Sequence, residues 1–186
     1  MISTICALTE LRPTREMMID TDVQLACDVE DLPPGGNEIA GQIEHWVQTA
    51  LGFPGVEWNR GLPWSFSEPL ERAAQLTVRI VGAEEGAALN RDFRGRAGAT
   101  NVLSFPFDEP FMLQPPLLGD IVICAPVLVT EAEQQKKSLQ SHWAHLVVHG
   151  VLHLLGYDHL DDNQAHDMEA LEIGILAELG IADPYH

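Results

Sequence analysis

The stretch His149-Gly150-Val151-Leu152-His153-Leu154-Leu155-Gly156-Tyr157-Asp158-His159 decides how the rest of this chain is read. Apart from its histidines and glycine, the part up to Leu155 is apolar, and it sits in a predicted helix over about 140–155. His149 and His153 are four apart. On a helix they project about 40° from one another and one turn along the axis, so both imidazoles can reach one ion. Gly156 stands where a glycine in the left-handed conformation ends a helix. The reversal there can swing His159 back as a third nitrogen. Three neutral imidazoles with an open fourth position are the ligand set of a catalytic zinc site and not of a closed structural one. Such an ion lowers the pKa of bound water to about 7 and acts as a Lewis acid toward a phosphoryl or carbonyl oxygen.

The spacing His-x3-His-x2-Gly-x2-His matches that of the metzincin peptidases. Their general base is a Glu directly after the first His, and here that position is Gly150. A peptidase reading therefore lacks its carboxylate and is disfavoured. His142 and His145 precede His149 by seven and four residues, on roughly the same helical stripe. They either line the same cleft, donate to it from behind, or are ordinary partly buried histidines. His45, His166 and His186 read as surface residues. Asp158 reads as a group that orients a ligand imidazole or satisfies the turn.

Outward from this helix, the flanking elements alternate early and are helical late. Val23–Val29 alternates apolar and polar and is predicted as a half-buried strand. Residues 33–36, two prolines and two glycines, break it. Asn37 is the expected N-cap of a helix whose apolar face is Ile39, Ile43, Trp46, Val47, Ala50 and Leu51. Residues 52–69 read as a loop with some burial. Gln75–Val81 is a predicted strand and Ala83–Phe93 a short helix with Glu84 and Glu85 in its first turn, where the helix dipole favours anions. Asn101–Phe105 is a short strand stopped by Pro106, and a proline-bearing loop runs to about residue 117. Asp120–Cys124 is a buried strand, followed by helices at about 126–138, 140–155 and 162–179. Strands early and helices late define an α+β domain.

The 186 residues fit one domain. Residues 1–17 read as a flexible N-terminal extension, with no basic start or long apolar run of a signal peptide, and residues 18–186 as the domain itself. Three cysteines, Cys6, Cys27 and Cys124, are too scattered for a disulfide framework or a thiolate zinc site, which fits a reducing, cytoplasmic home. No apolar run reaches the roughly 18–20 residues of a membrane span. Ten Lys and Arg stand against 28 Asp and Glu, a formal net charge of −18. A chain this acidic repels phosphate backbones on average, so any nucleic-acid chemistry needs a local positive site. Arg91, Arg94 and Arg96 form one concentration and Lys136–Lys137 another. Beyond Lys137 there is no Lys or Arg, only eight carboxylates, Glu172 among them.

The histidine stretch resembles the YbeY family, the zinc-dependent rRNA maturation endoribonucleases of bacteria. Two upstream segments carry the same resemblance: Leu89-Asn90-Arg91-Asp92-Phe93-Arg94 followed by Thr100-Asn101-Val102-Leu103-Ser104-Phe105-Pro106, and Leu118-Gly119-Asp120-Ile121-Val122-Ile123. The run Met168-Glu169-Ala170-Leu171-Glu172 through Asp183-Pro184-Tyr185 resembles the family's ending. The resemblance implies a single α+β domain, a small mixed four-stranded sheet packed against helices, with the metal-binding histidines on a helix of the C-terminal half. It implies one Zn²⁺ per chain held by His149, His153 and His159. It implies hydrolysis of single-stranded RNA late in the maturation of the 3′ end of 16S rRNA and in ribosome quality control. The partners it implies are rRNA, the small ribosomal subunit and its assembly factors, in the cytoplasm, with no membrane and no DNA. The family's important arginine falls on Arg94, as catalytic and substrate-binding residue. Arg94 follows a helix in a Gly-rich turn, is always charged and can grip a phosphate in bidentate fashion. Arg91 and Arg96 read as solvated or as general phosphate contacts, and Thr100, Asn101 and Ser104 as cleft lining or as servants of the strand and turn. Two other functions fit the residues: a metal-containing ribosome assembly factor with little cleavage of its own, and a zinc hydrolase on another substrate such as a peptide.

Overall fold

The computed structural model describes residues 18–28, 32, 38–58, 73–107 and 117–186. The expectations for residues 1–17, for the break at 33–36, for the Asn37 cap and for Val29 lie outside the described residues, as do parts of both long loops. The elements are β1 (Met18–Ala26), α1 (Ile39–Gly52), β2 (Ala73–Val81), α2 (Ala83–Arg94), β3 (Val102–Pro106), β4 (Leu117–Cys124), α3 (Ala125–Gln135), α4 (Leu139–Leu154) and α5 (Asp162–Glu178). The strands form a sheet in the order β1-β2-β4-β3. β1, β2 and β4 run parallel, and β3 pairs antiparallel with β4. The architecture is α+β with a mixed four-stranded sheet.

β1, β2 and β4 are longer than their apolar patterns, whereas β3 keeps its expected five residues, shifted by one. β1 begins at Met18, five residues before the predicted start, because β2 supplies pairing partners from Met18↔Ala73 onward. The polar run Asp20-Thr21-Asp22 is held extended by that ladder against its own weak strand propensity. Pro106 ends β3 on the sheet edge, where the missing N–H costs no ladder bond. β4 reaches back to Leu117 because β2 and β3 both pair with its early residues. Within that span Gly119 has φ +138, and a β-carbon there would stand 2.2 Å from the Phe105 carbonyl oxygen. Only glycine fits this close crossing of β4 past β3.

The pleat divides the sheet into two faces. Ala74, Leu76, Val78 and Ile80 of β2 join Leu118, Ile121 and Ile123 of β4 in the main core with α1, α4 and α5. The opposite face builds a smaller cluster from Val81, Leu103, Val122 and Cys124, with Leu89 of α2 packed against it. The face predicted for α1 is the buried one, all six residues of it. α4 is buried on nearly every side, including Trp143, Leu146, Val147, Val151 and Leu152. A helix apolar all round must be a central one, and α4 accordingly packs against β3, β4, α1, α3 and α5. Burial of each such aliphatic side chain contributes about 1.5–3 kcal/mol, so the helix that carries His149 and His153 is firmly held. Among the described residues no helix is long and apolar enough to cross a membrane.

Candidate metal centre and cleft

α4 starts with Ser138, whose side chain accepts the Ser141 N–H at 3.0 Å. It ends as the sequence predicts. Gly156 takes φ +88, its N–H reaches the His153 carbonyl at 3.1 Å, and the Tyr157 N–H reaches the Leu152 carbonyl at 3.0 Å. This pair of bonds is a Schellman motif. The reversal returns the chain to the helix end, and one ring nitrogen each of His149, His153 and His159 lies within 4.8 Å of the others. His149 Nε2 and His153 Nε2 are 3.1 Å apart.

That separation tests the fit of a metal. Two bare imidazole nitrogens at 3.1 Å repel one another unless a proton or a cation lies between them. Nitrogens about 2.0–2.1 Å from a tetrahedral zinc are themselves about 3.3 Å apart, so the pair has the spacing of two ligands of one ion. Burial first, and then the neighbouring His149 and His159, push His153 down to about 4. Its ring is therefore neutral at physiological pH, the form that ligates. The three residues fit a metal.

The triad lies in a cleft of about 540 Å³ that Arg94, Thr100, Asn101, Ser104 and Tyr157 also line. Arg94 is the last residue of α2, exposed, followed by Gly95 in the left-handed conformation. Arg91 lies one turn back, exposed and paired with Asp92 at 2.9 Å, and neither it nor Arg96 lines the cleft. Asn101 lines the cleft and also serves the strand. Its Oδ1 accepts the Val102 N–H at 2.7 Å at the start of β3, and its Nδ2 donates to Glu131 at 3.0 Å. Asp158 satisfies the turn, accepting the His159 N–H at 2.8 Å.

His142 and His145 do not line the cleft. His142 is buried and its Nε2 meets Glu131 at 2.9 Å. Burial lowers its pKa against the pull of Glu131. His145 Nε2 meets Glu172 at 3.2 Å, and His149 Nδ1 meets the same carboxylate at 2.7 Å. Burial alone would push the Glu172 carboxyl up, but hydrogen bonds from His145, His149 and the Tyr185 hydroxyl hold it down to about 2. An ionised carboxylate only accepts, so His149 donates from Nδ1 and turns Nε2 toward the triad.

No spacing in the sequence marks Glu131, Glu172 or Tyr185 as parts of the site. In the sequence Glu172 is one of eight carboxylates beyond Lys137 and part of the stretch that resembles the family's ending. Its signal was positional: it falls on the stripe Met168, Glu172, Ile175, Leu176 that α5 buries. A carboxylate on an apolar helix face needs a partner.

Position 150 also bears on the reaction. A β-carbon at Gly150 would stand 2.8 Å from Ile121 Cγ2. The position faces β4 and not the cleft, so a peptidase-type Glu has no place there.

Fold and site together define a class: α+β proteins in which three imidazoles converge at an open cleft, a donor set suited to hydrolytic chemistry. Residues 61–180 match the family described as Endoribonuclease YbeY. Over 158 residues the chain is 62% identical to the Endoribonuclease YbeY of Stenotrophomonas maltophilia, covering 83% of this chain and 88% of that relative. A solution structure of a Thermotoga maritima protein aligns with a TM-score of 0.49 at 19% identity, over 91% of this chain and 99% of that one. The chain belongs to the YbeY family of endoribonucleases.

Proposed function

We propose that the chain is a zinc-dependent, single-strand-specific endoribonuclease that acts late in maturation of the 3′ end of 16S rRNA and in ribosome quality control. Its working partners are rRNA, the small ribosomal subunit and associated assembly factors, and its compartment is the cytoplasm. The observation that carries this reading is the convergence of His149, His153, His159 and Arg94 on one cleft.

In this reading the three histidines hold one Zn²⁺ per chain. The chemistry supplied by an ion held there is Lewis acidity toward a phosphoryl oxygen and acidification of water. Arg94 grips two oxygens of the scissile phosphate with its planar fork and offsets charge that develops in the transition state. Its guanidinium is exposed at the end of α2 and makes no ion pair among the described residues. It can therefore turn to a phosphate without breaking an internal bond. Thr100, Asn101 and Ser104 give the cleft wall hydroxyl and amide groups for the sugar and phosphate. The strongly negative remainder of the chain repels RNA that does not reach the cleft, so the subunit's assembly factors deliver the strand.

Incubation of the purified protein with single-stranded and duplex RNA of one sequence, with and without a chelator, tests this. The expected result is internal cleavage of the single strand alone, lost with chelator and restored by Zn²⁺. Association with small subunits without chelator-sensitive cleavage would favour an assembly factor instead.

A further inference from the structure

Two histidines of α4 and one tyrosine beyond α5 converge on a single carboxylate. Glu172 is 0% exposed. Its Oε1 accepts from His149 Nδ1 at 2.7 Å, while Oε2 accepts from His145 Nε2 at 3.2 Å and from the Tyr185 hydroxyl. Tyr185 itself is 44% exposed, so its ring spans from solvent to a buried charge. The segment that carries it is tied to α3's end by one bond and shaped by another within it. Lys137 Nζ donates to the Pro184 carbonyl at 2.6 Å, and the Tyr185 N–H donates to Asp183 Oδ1 at 2.8 Å. The Tyr185 ring also stands edge-on to His145, with centroids 5.6 Å apart.

We propose that Glu172 is a positioning residue for His149 and that Tyr185, donating to the same carboxylate, extends the metal centre to the Asp183–Tyr185 segment. This rests on the reading of the three histidines as metal ligands. The carboxylate offers acceptors only, so the ring nitrogen facing it carries the proton. That fixes the Nδ1–H tautomer of His149 and leaves the lone pair of Nε2 aimed at His153 Nε2, 3.1 Å away. A carboxylate on the far nitrogen also makes an imidazole a better donor to metal. The division of oxygens shows how Tyr185 acts on a ring that it does not touch. Among the described residues Oε1 serves His149 alone, and Oε2 is held by two donors. Rotating the carboxylate away from His149 would break both bonds on the other oxygen. The shortest of the two imidazole contacts is to the ligand histidine and not to His145. A carboxylate present only to satisfy a buried His145 would not be aimed so.

Two measurements on the folded, full chain test this: Zn²⁺ affinity by competition with a chromophoric chelator, and side-chain nitrogen NMR of His149 in the metal-free protein. The metal-free wild type is expected to show His149 as the Nδ1–H tautomer, whereas free imidazole side chains favour Nε2–H. Glu172→Gln should lower Zn²⁺ affinity about 10- to 100-fold and mix the tautomers. Tyr185→Phe should stay folded and lower the affinity by about tenfold. If Glu172→Gln does not fold, Tyr185→Phe and the wild-type tautomer decide. Wild-type affinity in Tyr185→Phe, or an Nε2–H tautomer in the metal-free wild type, would overturn the inference. Failure of the metal reading looks different: the wild type and His153→Ala would then take up Zn²⁺ equally poorly or equally well, and the inference would fall with it.

Discussion

Gly150 is pressed against Ile121: a β-carbon at position 150 would lie 2.8 Å from Ile121 Cγ2 and 3.0 Å from its Cδ1. This contact sets how close α4 sits to β4, and so where the three imidazoles stand. Gly150→Ala tests it. In an exposed helix the change would stabilise by about 1 kcal/mol. Here the added methyl must displace a fully buried, β-branched side chain, and overpacking of that kind costs about 1–3 kcal/mol. The expected outcome is a net loss of about 1 kcal/mol, read as a melting temperature lower by about 2–4 °C for a chain of this size. An unchanged or raised melting temperature would show that Ile121 yields freely.

Metal analysis of the purified protein should find about one zinc per chain, the stoichiometry of a three-nitrogen site. His153→Ala should lose most of it. The ring of His153 is the middle of the triad, with centroids 4.5 Å from His149 and 5.2 Å from His159. His166→Ala is the control, because that histidine is exposed on α5. Full occupancy in His153→Ala would remove His153 from the ligand set.

The parts of this protein that were legible in its sequence are those where one local rule governs. The buried face of α1 follows from periodicity alone, and the triad follows from the spacing of His149 and His153 with the glycine that ends their helix. Strand limits were not legible, because β1 and β4 extend through Asp20, Asp22 and Gly119 by pairing with strands distant in sequence. The Glu172 network was not legible for a related reason. It joins α4, α5 and the segment beyond α5, and no spacing within one element encodes a contact among three. Only the apolar neighbours of Glu172 on α5 mark it as a charge that must be answered elsewhere.

Burial of His142 sets a pH dependence. Its pKa is lowered from the ordinary 6.5 mainly by desolvation, so below 6.5 the unfolded chain takes up a proton that the folded chain refuses. Stability then falls as pH drops from 6.5 toward the depressed folded value, and is flat in this group above 6.5. The slope from one such group is at most about 1.4 kcal/mol per pH unit. His153, also held below 6.5 chiefly by burial, adds to it, so the comparison is with His142→Gln, whose amide can still donate to Glu131. Denaturant unfolding at pH 7.5 and 5.5, with chelator throughout, should show a smaller loss on acidification for His142→Gln than for wild type. Equal losses would mean that His142 is protonated in the folded protein.

Arg94 should matter for RNA cleavage and not for folding. It is exposed at the end of α2, and its neighbour Gly95, not its side chain, makes the turn. Exposed substitutions of this kind change stability by within about 0.5 kcal/mol. Among the described residues it is the one arginine that lines the cleft beside the three histidines, in a protein whose charge gives RNA little other reason to approach. Arg94→Ala should therefore stay folded and keep its zinc while cleavage of single-stranded RNA falls about tenfold or more, the loss of one charge-assisted contact. Arg94→Lys should recover only part of this, because an ammonium cannot engage two phosphate oxygens in one plane. Arg91→Ala is the control. Its side chain is paired with Asp92 and lies outside the cleft lining, so its effect on cleavage should be small. Cleavage at the wild-type rate in Arg94→Ala, with a loss in Arg91→Ala, would move the phosphate contact one turn back along α2. Wild-type rates in both would show that neither arginine grips the scissile phosphate, and the charge-assisted contact would have to come from another residue.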